Sequence, residues 1–247
     1  MEDLEKLRFN IRHSAAHIMA EAVMNIFPGT KIGIGPPTTD GFYYDFDCPK
    51  QLSKDDFKNI EAEMKKIIKS KRKFTGTVVS RKEAAQRFSD QKYKLEIIEG
   101  IPKDEKLTIW SHESWEDICK GGHVDSTNNI KAFKLLDVAG AYWRGDEKNK
   151  MLQRVYGTAW ESKEEQKKYL EKLELAAKRD HRKLGTSLDL FYFDEFSPAM
   201  PFFLPKGTYI MNKLTDYMRE KYNRYGCLLY TSPSPRDRTR SRMPSSA

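Results

Sequence analysis

Two short strings hold the residues whose types and spacing could do chemistry. His13-Ser14-Ala15-Ala16-His17 places two imidazoles at i and i+4, on one face of a helix with Cβ atoms about 6 Å apart. Cys119-Lys120-Gly121-Gly122-His123 follows Asp117 and adds a thiol, a third imidazole and a carboxylate. Its glycine pair predicts a tight loop in which backbone comes close to a ligand. Either string alone is weak, because HxxxH is common on ordinary helix faces. Together they gather three of the chain's five histidines with one of its three cysteines. As ligands, His13, His17, Cys119 and His123 suit tetrahedral zinc. As catalysts, they supply a general base, a group to position water, and donors for an ester carbonyl. Four protein ligands would close a zinc site, whereas zinc hydrolysis needs an open position. The residues alone leave both readings standing, beside a third in which the histidines lie on unrelated faces.

The elements that must position these residues follow from periodicity. Leu4, Leu7, Ile11, Ile18, Ala22 and Ile26 recur at spacings of three and four, predicting an amphipathic helix over 3–27 that Pro28-Gly29 stops. Two strands around a loop are expected from Lys31 to Phe46. Ser53 with Asp56 resembles a capping box opening a helix to about Lys71, and Ser80 with Glu83 opens a shorter one through Phe88. Strands are expected at 94–98, 107–112, 132–139 and 150–158. The first half therefore reads as α+β, with helices packed on a mainly antiparallel sheet. From Ser162 to about Leu184 the pattern predicts one long charged helix with Tyr169, Leu170, Leu173 and Ala177 on its inner face. A short strand near 188–193 and a helix over 207–225 follow.

The bulk properties narrow the function classes. The formal charge of +8 invites a polyanion, of which nucleic acid is the usual one. No apolar run of about 18 residues offers a membrane span, and the charged N-terminus lacks a secretory core, so a cytoplasmic protein is expected. Three scattered cysteines make no disulfide framework. The last 21 residues, 227–247, carry four arginines against one aspartate amid serine and proline. They read as a disordered stretch not native to the protein.

Longer strings carry a family resemblance. The two motifs, Gly35-Pro36 followed by Gly41-Phe42-Tyr43-Tyr44-Asp45, and the segments 139–146, 150–160 and 176–185 resemble the editing domain of bacterial threonyl-tRNA synthetases. Alanyl editing proteins share only the HxxxH and CxxxH pair. The resemblance runs from about Arg8 to Gly226. It implies an editing domain over 1–160, a linker helix over 161–186 and the start of an incomplete class II synthetase catalytic domain over 187–226. It implies hydrolysis of mischarged seryl-tRNA(Thr), because one methyl group gives only about 1–3 kcal/mol of discrimination by binding. The implied catalytic residues are His13, His17, Lys94, Asp117, Cys119 and His123, with Tyr44, Gly121 and Gly122 against substrate. Within that set His13 and Lys94 would handle the water and the developing charge. His123, Asp117 and Cys119 would shape the pocket and hold the amino group or ribose.

The resemblance further implies that editing needs no metal, with His13, His17, Cys119 and His123 as the ligands if zinc is bound. ATP, magnesium, the catalytic-domain zinc and homodimerisation belong to the full-length enzyme, and the acceptor end of tRNA(Thr) is the expected partner. This chain departs from the family at Gly122, where bacterial members usually carry proline, and at Lys120, where they carry arginine. The residues also admit a zinc-dependent alanyl-tRNA editing hydrolase or a non-catalytic tRNA-binding module. In the last reading Lys65, Lys66, Lys69, Lys71, Arg72 and Lys73, with the 178–183 cluster, would clamp phosphates. On the helix over 207–225, Met211, Leu214, Tyr217, Met218 and Tyr222 are expected to form an exposed apolar stripe.

Overall fold

The computed structural model describes residues 2–226 except 103 and 114, so Cys227 and the expected tail over 227–247 lie outside the described residues. The chain divides into two compact units, one running to Glu171 and the other starting at Lys172. The first contains α1 (Glu2–Ile26), β1 (Lys31–Ile32), β2 (Phe42–Asp47), α2 (Phe57–Lys69), β3 (Thr75–Val79), α3 (Arg81–Arg87), α4 (Lys92–Gly100), β4 (Leu107–His112), β5 (Trp115–Ile118), β6 (Ala132–Tyr142) and β7 (Met151–Trp160). An antiparallel sheet has the order β1-β2-β7-β6, and a second one the order β3-β4-β5. The α+β character expected from the sequence is present.

The two serine caps sit where the sequence places them. Ser53 N–H donates to Asp56 Oδ2 at 2.9 Å, opening a short 3-10 turn that leads into α2. Ser80 Oγ accepts from Glu83 N–H at 3.2 Å to start α3.

α1 differs from the amphipathic helix predicted. Every residue from Ile11 to Val23 is buried, while Leu4 and Leu7 remain 43% and 44% exposed. The reason is its packing: α1 lies against β2 and β7 and also against α2, which leaves its middle no solvent face. Arg12, His13, Ser14, His17 and Glu21 are therefore carried into the interior, where polar groups need partners or cost free energy. That requirement organises the site.

Residues 94–98, expected as a strand, belong to the helix α4. Leu95, Ile97 and Ile98 suggest β-structure by type, but the buried positions are Tyr93, Lys94 and Ile98. Lys94 and Ile98 stand four apart on one helical face, and the helix packs on α3 and β1. The sequence pattern does not predict β3 or β5.

The single long helix predicted over 162–184 is two helices, α5 (Lys163–Lys178) and α6 (His181–Ser187). Asp180 leaves helical geometry at φ −56°, ψ 122°, and its carboxylate accepts from Arg182 N–H as an N-cap. No α5 residue is buried, although Tyr169 packs on Trp160 with ring centroids 5.1 Å apart. In the second unit β8 (Phe191–Phe193) pairs with β9 (Pro201–Phe203), and α7 (Pro205–Arg224) follows. A hairpin and a helix identify no catalytic domain by themselves. Along α7, Met211, Leu214, Tyr217 and Met218 are 42–57% exposed, and Tyr222 is half-buried.

Candidate active site

The opening helix and the loop after β5 meet although about a hundred residues separate them in sequence. The rings of His13 and His123 stack with centroids 4.1 Å apart, and His17 lies 4.4 Å from His123 and 4.9 Å from His13. Cys119 Sγ is 3.2 Å from His123 Nε2. Ser14, between the two histidines of α1, ties the loop down: its Oγ accepts from Val124 N–H at 3.0 Å and lies 3.1 Å from His123 Nδ1. Phe74 stacks on the other side of His123 at 4.9 Å, and Trp110 tilts against it at 4.9 Å.

The glycine pair does what its spacing suggested. Gly121 and Gly122 adopt φ of +89° and +86°, and the Gly121 carbonyl accepts from His13 Nδ1–H at 3.0 Å. A carbonyl cannot donate, so this bond keeps the His13 proton on Nδ1 and leaves a lone pair on Nε2. A Cβ on Gly122 would lie 2.9 Å from the ring of Phe9. Proline, fixed near φ −65°, could not hold this backbone, so the loop here is shaped differently from one that carries proline at this position.

Behind the histidines lies a sealed polar group. Lys94, Asp117 and Tyr44 are 1%, 2% and 0% exposed. The Lys94 ammonium pairs with Asp117 Oδ1 and donates to Tyr44 Oη at 2.9 Å, while Tyr44 Oη–H donates to Asp117 Oδ2 at 2.5 Å. Ile118 N–H also donates to Asp117 Oδ1, at 2.7 Å. Asp117 Oδ2 stands 3.6 Å from His17 Nε2, which links this ring of groups to the imidazoles. Every candidate site residue of the sequence reading thus belongs to one cluster, but Lys94 is fully engaged inside it.

Sequence reasoning missed Ser14, and it missed a second buried group. His112 Nε2 lies 2.7 Å from Glu21 Oε2, and Arg72 donates to Glu21 Oε1 at 2.6 Å. The missed signal is periodic: His13, His17 and Glu21 recur at i, i+4 and i+8, a polar stripe along a helix whose middle is otherwise apolar.

Burial sets the protonation states. It lowers the pKa of His13, drives that of His17 well below 6.5, and brings His123 down to about 2, helped by the neighbouring imidazoles. All three rings are therefore neutral at pH 7. Burial, with Asp117 close by, lifts the Cys119 thiol to about 12, so it is a poor nucleophile at neutral pH.

These shifts carry a consequence for stability. A buried neutral imidazole contributes fully above the unfolded-state value of 6.5, and its contribution falls as pH drops below that value. For His17 the loss sets in as pH falls below about 7 and grows towards pH 5. Denaturation midpoints measured in chelator should fall across that window, and fall less in His17→Gln. Equal midpoints at both pH values would contradict the burial of these rings.

His13, His17, Cys119 and His123 also form a candidate metal site, with one ligand atom from each lying within 4.8 Å of the others. The donors fit zinc. Among the described residues His13 Nε2 and the buried His17 Nδ1 have no hydrogen-bond partner, and Ser14 can accept from His123 Nδ1–H and so leave the lone pair on its Nε2. Tetrahedral zinc wants neighbouring ligand atoms about 3.3–3.8 Å apart, which requires the side chains to close in slightly.

Residues 107–156 match the family described as the threonyl and alanyl tRNA synthetase second additional domain. The chain is 49% identical over 219 residues to a threonine–tRNA ligase of Fusobacterium nucleatum, covering 87% of this chain and 35% of that protein. It is 48% identical over 231 residues to the threonine–tRNA ligase of Burkholderia lata and 47% to that of Paraburkholderia phymatum, covering 93% of this chain and 36% of each. It thus spans about a third of the length of these relatives.

Proposed function

Since the chain is homologous to threonine–tRNA ligases over the third of their length that it spans, we propose that its first unit is a proofreading hydrolase. The substrate is tRNA(Thr) mischarged with serine. The reaction is hydrolysis of the ester between the serine carboxyl and the ribose of the terminal adenosine. The observation that carries this reading is the His13–Gly121 bond, which leaves the lone pair on Nε2 of a ring that burial keeps neutral and that packs on His17 and His123.

In the proposed step His13 Nε2 takes a proton from water as its oxygen attacks the ester carbonyl. The carbon–oxygen bond to the ribose then breaks, and the imidazolium returns the proton to the departing ribose oxygen. An aminoacyl ester is reactive enough that positioning and one base supply much of the rate. His123, Cys119, Gly121 and Gly122 shape the wall around the ester. Lys94 enters by holding Asp117 and Tyr44 rather than by touching the water, because the ammonium is sealed between these two groups. If zinc binds, it polarises what it holds; the four ligands would be His13, His17, Cys119 and His123, which takes His13 out of service as the base.

The same reading sets the remaining assignments. Residues 1–160 form the editing domain, 161–186 the linker, and 187–226 the entrance to a class II catalytic domain. ATP, magnesium, the further zinc and the dimer interface belong to the longer enzyme. The partner is the acceptor end of tRNA(Thr), met in the cytoplasm; no helix among the described residues is long and apolar enough to cross a membrane.

Purified protein incubated with seryl-tRNA(Thr) should release serine equally with and without a chelator. No release overturns the proofreading assignment. Release abolished by chelator leaves a hydrolase but overturns the metal-free step, as the zinc-dependent alanyl-type reading requires.

A further inference from the structure

Five lysines from three separate elements surround one groove of the first unit, with a volume of about 570 Å³. Lys65 and Lys69 lie one turn apart on α2, Lys131 immediately precedes β6 and Lys134 lies within it, and Lys163 opens α5. Glu61 is the only acid in the lining, and it is already bound by Lys134 at 3.1 Å and by Leu135 N–H at 3.0 Å. Among the described residues Lys65, Lys69 and Lys163 make no ion pair, and Lys131 donates only to the Asn128 carbonyl. The floor is apolar, formed by Ile68, Ile130 and Phe133. The side-chain amide nitrogen of Gln166, which also lines the groove, is buried without a hydrogen-bond partner among the described residues.

The linear cluster that the sequence suggested behaves otherwise. Arg72 is committed to Glu21, and Lys66 to Glu63 at 2.8 Å. The fold takes only Lys65 and Lys69 from that run and adds three lysines from 62 or more residues further on, so tertiary structure and not local composition collects the charge.

We propose that this groove is a docking surface for the sugar–phosphate backbone of RNA, gripping the helical stem of the substrate whose end enters the site. That the RNA is the tRNA substrate rests on the proofreading reading; that the groove takes a phosphate backbone rests on its charge. Once Lys134 is set against Glu61, four lysines of the lining remain uncompensated, and in a chain of formal charge +8 they complement a polyanion. Lysines act as point charges, suited to phosphates rather than to base edges. The placement suits a stem. Lys131 follows His123 by eight residues, so the groove's edge lies at most about 29 Å from the site, less than about one helical turn of a duplex.

The test uses Lys65→Glu/Lys69→Glu and Lys131→Glu/Lys163→Glu, all at exposed positions. tRNA affinity is measured across a salt series, alongside hydrolysis of seryl-tRNA and of seryl-adenosine, which has no stem. Each pair should weaken tRNA binding tenfold or more at low salt. Each should also flatten the dependence of log K on log salt by about 0.7–0.9 for every phosphate that the variant no longer neutralises. The KM for seryl-tRNA should rise while seryl-adenosine hydrolysis stays unchanged. tRNA affinity within twofold of the parent overturns the proposal. So does a loss confined to heparin or to anionic vesicles, which would mark a different polyanion. If the parent protein binds tRNA through these lysines yet releases no serine, the groove stands and the proofreading reading falls.

Discussion

Replacing His13 by alanine is expected to lower the rate of serine release from seryl-tRNA(Thr) by about 10²–10⁴-fold, the range spanned by loss of a general base. The expectation comes from geometry rather than from the residue type alone. Three imidazoles share the cluster, but only His13 has its tautomer fixed by an acceptor that cannot donate, the Gly121 carbonyl. His17 is 1% exposed and faces Asp117, and His123 is held at both ring nitrogens, by Ser14 and Cys119. The effect should appear in kcat while tRNA affinity and its salt dependence are retained, since the lysine groove is untouched. His13→Asn, with an amide where the imidazole stood, should recover little. Single-turnover deacylation decides the matter: a rate within threefold of the parent would remove His13 as the base.

The candidate cluster is more legible in the sequence than the fold. His13, His17, Cys119 and His123 announce themselves only as a set, because neither string is distinctive alone while together they take three of the five histidines and one of the three cysteines. Their convergence cannot be read from either string, since it depends on Ser14 reaching Val124 and His123 across 110 and 109 residues. Local periodicity fails where burial is on all sides. Apolar residues recurring at three and four make α1 look amphipathic, yet its interior stripe of His13, His17 and Glu21 is polar and buried. α4 resembles a strand because two isoleucines and a leucine dominate it by type. Its helical spacing emerges only when Lys94, a residue normally assigned to the surface, is counted among the inward positions. The break at Asp180 hides inside a run of charges in which lysine and arginine, good helix formers, predominate. A capping carboxylate is visible only when the backbone is seen to turn.

Lys94 is a buried cation whose weight falls on the fold, through its pairing with Asp117 and Tyr44. Lys94→Met is expected to destabilise the protein by about 3–5 kcal/mol, because it strands the Asp117 carboxylate in the interior. Asp117 would keep the Tyr44 hydroxyl and the Ile118 amide but lose the ammonium that neutralises it. The loss is specific to the unpaired charge and not to the methylene stem, which methionine replaces at similar volume. The double variant Lys94→Met/Asp117→Asn removes both charges and should be more stable than Lys94→Met alone, a coupling that a double-mutant cycle measures directly. Urea denaturation of the three variants at pH 7 gives the comparison. A Lys94→Met protein within 1 kcal/mol of the parent would mean that water reaches Asp117 and that the seal is open. A double variant no better than the single would mean that the pair contributes by packing and not by charge. With the expected outcome, Lys94 supports proofreading through the position of Asp117 and, 3.6 Å further, of His17. Small seryl esters should then be hydrolysed slowly by the refolded single variant even where His13 is intact.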